Sequence, residues 1–158
     1  MKATNLLLSA FLCVALSLFF PLIPSCPAQH NAQLWGMSYG GGAEDKGILF
    51  HYAPPVSTHT VDFSWSNLAP GKAPQYTQLT DMGNGKFYGM TYQGGMDDRG
   101  VIFEWDTATN VYIKKFDFDS TSGFHPYGSL TLAGGKLYGM TSDGGSNNKG
   151  VIFEWVPV

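Results

Sequence analysis

"YGMTYQGGMDDRGVIFEW", residues 88–105, reads as an apolar run, a glycine pair, a charged turn and a second apolar run, which is the layout of a β-hairpin. The chain says it three times. Residues 35–52 read "WGMSYGGGAEDKGILFHY" and residues 138–155 read "YGMTSDGGSNNKGVIFEW", and the three copies align without a gap over eighteen positions. Gly36, Gly89 and Gly139 mark the copies at spacings of 53 and 50 residues. At that period each repeat is one blade of a propeller or one turn of a solenoid.

The interior of the second copy decides between them. It holds four strand-length runs, "YTQLTDM" (76–82), "KFYGMTY" (86–92), "VIFEWD" (101–106) and "YIKKFDFD" (112–119), rich in the β-branched and aromatic residues that strands prefer. The runs are separated by "GNG", Gly94-Gly95 and "TATN", turns too short for anything but antiparallel neighbours. Val101, Phe103 and Trp105 alternate with Ile102 and Glu104, so both faces of the third run are largely apolar. A sheet with one wet face shows a cleaner alternation. The fourth run carries Lys114, Lys115, Asp117 and Asp119 and suits the outer edge, where charge discourages further pairing. The first copy supplies "LWGMSY", "ILFHY" and "HTVDFSW", the third "GSLTLA", "KLYGMT" and "VIFEW". The fold expected is therefore all-β, with propeller-like blades of four antiparallel strands. Its ten strands form an incomplete array of about two and a half blades, where closed rings use about four or more. A truncated product is the expectation, with an oligomer or an open stack as alternatives.

Twelve glycines recur in register and are expected to be structural. Gly36, Gly89 and Gly139 lie inside the second strand, where a missing side chain admits a close neighbour. Gly41, Gly42, Gly94, Gly95, Gly144 and Gly145 form the pairs, and Gly47, Gly100 and Gly150 end the polar turns. Acidic or amide residues before a glycine suit turn positions of positive φ.

The pattern "LYGMTSDGG....GVIFEW" resembles the GloVer repeat of the bacterial choice-of-anchor tandem repeat proteins. The layout is also similar to a Kelch blade, with Gly144-Gly145 in the glycine-pair place and Asp106 in the aspartate place, where the third copy has Val156. The resemblance covers nearly all of residues 34–158. It implies an exported, cell-surface protein with a propeller-like array, and no established reaction. The resemblance also implies a sorting tail, and the expectation is that none follows Val158.

The N-terminus has the three parts of a secretory signal peptide, Lys2, an apolar run from Leu6 to Ile23 and "PSCPAQ". Residues 1–28 are expected to be that signal, cut after Ala28, with 29–158 holding three tandem repeats at approximately 29–75, 76–125 and 126–158. The expected location is secreted or at the cell surface; the alternative is a lipoprotein anchored at Cys26. Cys13 and Cys26 both lie in the leader, so no disulfide is expected in the exported chain. Nine Lys/Arg against twelve Asp/Glu argue against a nucleic-acid partner, which needs a basic face.

Candidate chemistry is sparse. His30, His51, His59 and His125 share no repeat position, and no HxH, HExxH or GxSxG occurs. No catalytic residue, cofactor or metal is therefore expected. Glu44-Asp45 and Asp97-Asp98 are carboxylate pairs that a calcium ion would suit, but the third copy has Asn147-Asn148 and each pair precedes Lys or Arg, so a turn is the better reading. Tyr39, Tyr92 and His125 fall near loops and suit stacking on a sugar. Two functions remain. One is a non-catalytic exported repeat module, structural or binding a glycan or a cell-surface protein. The other is a fragment of a propeller-type hydrolase or lyase acting on extracellular carbohydrate. Self-association through open end blades is expected, with Val151, Phe153, Trp155, Trp35 and Leu49 as the apolar residues left open.

Overall fold

Glycine pairs break the chain into short runs whose side chains alternate, and such runs can satisfy their backbone only by pairing with one another. The computed structural model describes residues 33–53, 58–67 and 70–157, and the expected signal segment lies outside them. Eleven strands form three antiparallel sheets, with no helix among the described residues. Unit 1 is β1 (Leu34–Ser38), β2 (Ile48–Tyr52) and β3 (His59–Ser64), in that order. Unit 2 is β4 (Thr80–Asp81), β5 (Lys86–Thr91), β6 (Val101–Asp106) and β7 (Val111–Asp117), also in chain order. Unit 3 is β8 (Phe124–Pro126), β9 (Thr131–Ala133), β10 (Lys136–Asp143) and β11 (Ile152–Trp155), with β10 between β11 and the pair β8 and β9. These are incomplete propeller-like blades, and no sheet closes on itself.

The eleventh strand is β8. None of the strand-length runs read from the sequence covers residues 120–126, yet Phe124 and Pro126 pair with Asp143 and Thr141. In unit 2 the isolated bridge between Lys72 and Gln93 takes the same place. The first strand of a blade is thus split in two, one piece on each half of the second strand.

The marker glycines face phenylalanines. Gly36, Gly89 and Gly139 pair across the ladder with Phe50, Phe103 and Phe153. A Cβ on Gly36 would sit 2.7 Å from the Phe50 ring and one on Gly89 2.5 Å from that of Phe103. The Cζ end of each ring lies over its glycine, which is why no side chain fits there.

Unit 2 buries one face against unit 1 and the other against unit 3. Trp35, Met37, Leu49, Phe63 and Trp65 of unit 1 meet Leu79, Phe87, Phe103, Trp105 and Tyr112 of unit 2. One repeat later, Tyr88, Met90, Ile102, Phe116 and Phe118 of unit 2 meet Leu130, Leu137, Phe153 and Trp155 of unit 3. The first set of each join is the front of a unit and the second set is the back of the next. Both faces of β6 are covered, so Val101 to Trp105 are all buried, including Glu104.

Backbone atoms repeat the join. The amide of Ala73 donates to the Lys46 carbonyl at 2.9 Å, and that of His125 to the Arg99 carbonyl at 2.9 Å. Both donors precede a proline and hold positive φ, 54° and 53°. The prolines close the join: a Cβ on Gly47 would meet Pro74 Cδ at 2.9 Å, and one on Gly100 would meet Pro126 Cδ at 2.6 Å.

Candidate ligand groove

The polar turns are built alike. The amides of Gly41, Gly94 and Gly144 donate to a side-chain Oδ1 of Asp45 (2.6 Å), Asp98 (2.8 Å) and Asn148 (3.0 Å). Those three residues have φ of 54°, 57° and 50°, the left-handed region that Asp and Asn tolerate best. An amide does the same work as two carboxylates, so the carboxylate serves as a hydrogen-bond acceptor within the turn. Asp98 also pairs with Lys72 at 2.9 Å. Burial opposes its ionisation, but the Lys72 ammonium and the Gly94 amide hold its carboxyl below the usual value. The second glycines, Gly42, Gly95 and Gly145, and the closing ones, Gly47, Gly100 and Gly150, all have positive φ.

Two histidines have carboxylate partners that the sequence reading did not find. His51 Nδ1 lies 2.7 Å from Asp62 Oδ2, across the β2–β3 ladder. His125 Nδ1 lies 3.1 Å from Asp143 Oδ2, and its ring stacks on Tyr92 at 4.4 Å and 10°. The stack uses up one face of both rings expected to meet a sugar. Ser142 lies beside this pair, but its single hydroxyl proton is within reach of Asp143 Oδ2 (2.6 Å) and of the His125 carbonyl (3.1 Å). No imidazole nitrogen accepts its proton, so the trio lacks the nucleophile–base bond that acyl transfer needs. His59 packs edge-on against Phe50, and His30 lies outside the described residues. Among the described residues no three His, Cys, Asp or Glu side chains gather to hold a metal ion.

The charged residue of β6 is instead a structural hub. Glu104 is 1% exposed and accepts from Lys86 at 2.7 Å and from the Tyr88 hydroxyl, with Lys115 at 3.4 Å. Burial opposes its ionisation, yet these donors hold its carboxyl below the usual value. Burial and the Glu104 bond push the Tyr88 hydroxyl up. Unit 3 repeats the set with Glu154, Lys136 (2.6 Å) and Tyr138 (2.9 Å), now 42% exposed at the glutamate. In unit 1 His51 stands where Glu104 does, and its Nδ1 meets Asp62.

A concave surface with exposed aromatic rings lies elsewhere. A groove of about 630 Å³ is lined by Met37, Tyr39, Pro74, Gln75, Tyr76, Thr77, Gln78 and Ser129. Tyr39 and Tyr76 are 60% and 67% exposed, and the Tyr76 ring contacts that of Tyr127 at 4.9 Å. Tyr76 holds a φ of 52°, uncommon for a bulky residue. The Gln78 amide is tied to Ser129 Oγ at 2.9 Å, which fixes the groove wall between units 2 and 3. Among the described residues no carboxylate, imidazole, ammonium or guanidinium lines it. Its rings and neutral amides suit a neutral, hydroxyl-rich ligand with flat apolar faces. Tyr39 was legible in the sequence as a loop aromatic. Tyr76 was not, because it begins a strand-like run.

The Gloeobacter/Verrucomicrobia repeat model matches residues 23–157. The chain belongs to that family. The match begins five residues before Ala28 and spans all three units of the Gloeobacter/Verrucomicrobia repeat chain. Neither a curated protein nor a solved structure matches it.

Proposed function

We propose that this repeat chain is an exported, non-catalytic module that binds a neutral carbohydrate at the cell surface or outside the cell. The observation that carries the reading is the groove of Tyr39, Tyr76, Gln75 and Gln78: exposed rings and amides together, without a charged group. Glycoside hydrolysis needs two carboxyl groups astride the bond, and the groove supplies neither. Export rests on the residue pattern before Gln29, and N-terminal sequencing of the chain recovered from a secreting host tests it. A mature start at Gln29 is expected, and a lipidated Cys26 would replace it with an anchored form. For the groove, a panel of neutral oligosaccharides is titrated calorimetrically against the chain and against Tyr76→Ala. At least one binder is expected, weakened tenfold or more by the substitution. Binding that ignores Tyr76, or none across the panel, overturns the groove. Release of shorter sugars over time would replace the binding module with the hydrolase or lyase.

A further inference from the structure

We propose that the front of unit 3 is a docking face for the back of unit 1 in a second copy of this chain, so that copies associate head to tail. The proposal is independent of the carbohydrate reading. It rests on the two joins already inside the molecule, which have the same parts in the same places. In each, a front made of an aromatic, a methionine and a β-branched or leucine side chain covers the back of the next unit: Trp35, Met37 and Leu49 at the first join, Tyr88, Met90 and Ile102 at the second. Leu49, Met90 and Ile102 are at most 1% exposed there.

Unit 3 carries the same trio as Tyr138, Met140 and Ile152, aligned without a gap. Met140 is 56% and Ile152 81% exposed. The backbone half of the join is also present and open. Gly150 donates to the Gly144 carbonyl at 3.1 Å, as Gly100 does to Gly94 and Gly47 to Gly41. The Lys149 carbonyl therefore stands where the Lys46 and Arg99 carbonyls receive the amide of the following unit. At the other end, Leu34, Phe50 and Tyr52 occupy the positions of Phe87, Phe103 and Trp105, which form the back of unit 2. Leu34 is 65% exposed. One chain thus carries the front half of the join and, among the described residues, the side-chain part of the back half, and it shows the finished form twice.

The two halves are different surfaces, so the contact is heterologous and predicts an asymmetric mutational pattern. The chain is expressed from residue 1 and purified in the mature form its host leaves. Ile152→Lys spoils the front of unit 3, and Leu34→Asp spoils the back of unit 1. Both sites face solvent in the single chain, so circular dichroism and melting should match the unsubstituted protein. Light scattering after size-exclusion chromatography is then read over a hundredfold dilution. The unsubstituted chain is expected at a mass of two copies or more at the highest concentration, falling on dilution, and each variant at the mass of one. An equimolar mixture of the variants retains one intact front and one intact back, and should give pairs and nothing larger. Three results overturn the proposal: an unsubstituted chain of single mass throughout, variants that associate as the parent does, or loss of association in one variant only. The last would point to a face pairing with itself.

Discussion

A hydroxyl closes the hairpin in every unit. Thr91 Oγ1 donates to the Gln93 carbonyl at 2.8 Å and accepts the Val101 amide at 3.3 Å. Thr141 and Ser38 make the same two bonds to Asp143 and Val151, and to Gly40 and Ile48. Thr91 is fully buried, so Thr91→Val keeps the shape and takes the side-chain acceptor from the Val101 amide, while the Gln93 carbonyl keeps the Lys72 amide at 2.9 Å. The expected loss is about 1–3 kcal/mol in a urea series, with Thr91→Ser recovering most of it because Ser38 already serves unit 1. Equal midpoints for Val and Ser would dismiss the role. Gly89→Val should cost about 1–3 kcal/mol or more, since its Cβ enters the Phe103 ring in a core without slack. Exposed Thr60→Ala is the reference, expected to shift the midpoint little. Lys115, which the sequence places on a solvated edge, is a poor reference because it is 17% exposed and pairs with Glu104. The glycines were legible because each recurs in register. The hydroxyl recurred as visibly, but a Ser or Thr on a strand carries no sign of which backbone atoms it will meet. The partners of His51 and His125 lie 11 and 18 residues away, and only the ladder brings them together.

At the scale of the element, β6 is the centre of the array. Its glutamate ties acid stability to one residue. Glu104 has a depressed value in the folded chain, so its contribution is present above the unfolded value of 4.5 and is lost as pH falls through the folded one. Lys86 is raised, mainly by its bond to Glu104, so its share is present below 10.5 and fades as pH rises past the folded value. Glu104→Gln should therefore lower the melting temperature at pH 7 and flatten its fall below about pH 4.5. Breaking a fully buried pair costs about 3–5 kcal/mol, and less here because Lys86 is 39% exposed. Glu154→Gln, with its carboxylate open to water, should change either quantity little. Parallel acid limbs for Glu104→Gln and the parent would move the acid sensitivity elsewhere. Most elements were legible, since three aligned copies separate strand from turn without further help. The strand β8 was not. Its Phe124-His125-Pro126 includes a proline that reads as a breaker, and it pairs with the far end of β10.

At the scale of the whole molecule the parity of the faces was the part the sequence left open. Alternation sorts residues into two sets but does not say which set looks forward. Leu49 is fully buried, Trp35 packs in the first join, and Phe153 and Trp155 pack in the second; the open residues are Leu34, Met140 and Ile152. Stability in such an array is a sum over units and joins, so damage to one join should loosen one end. Gly100→Ala drives a Cβ into Pro126 across the join at 2.6 Å and also into the Thr91 carbonyl of its own hairpin, at a φ of 97° that alanine avoids. Guanidinium unfolding followed at Trp155 and Trp35 should then split, with unit 3 lost first. Coincident transitions would show the three units to be inseparable. The joins also bear on how such a chain lengthens. The lock between units is made by a carbonyl, an amide and a proline, and the amide belongs to alanine in one join and histidine in the other. A coupling read from main-chain atoms survives drift in the side chains around it. Unequal recombination can then insert or delete a repeat at any boundary, and the newcomer arrives already fitted to neighbours it never coevolved with.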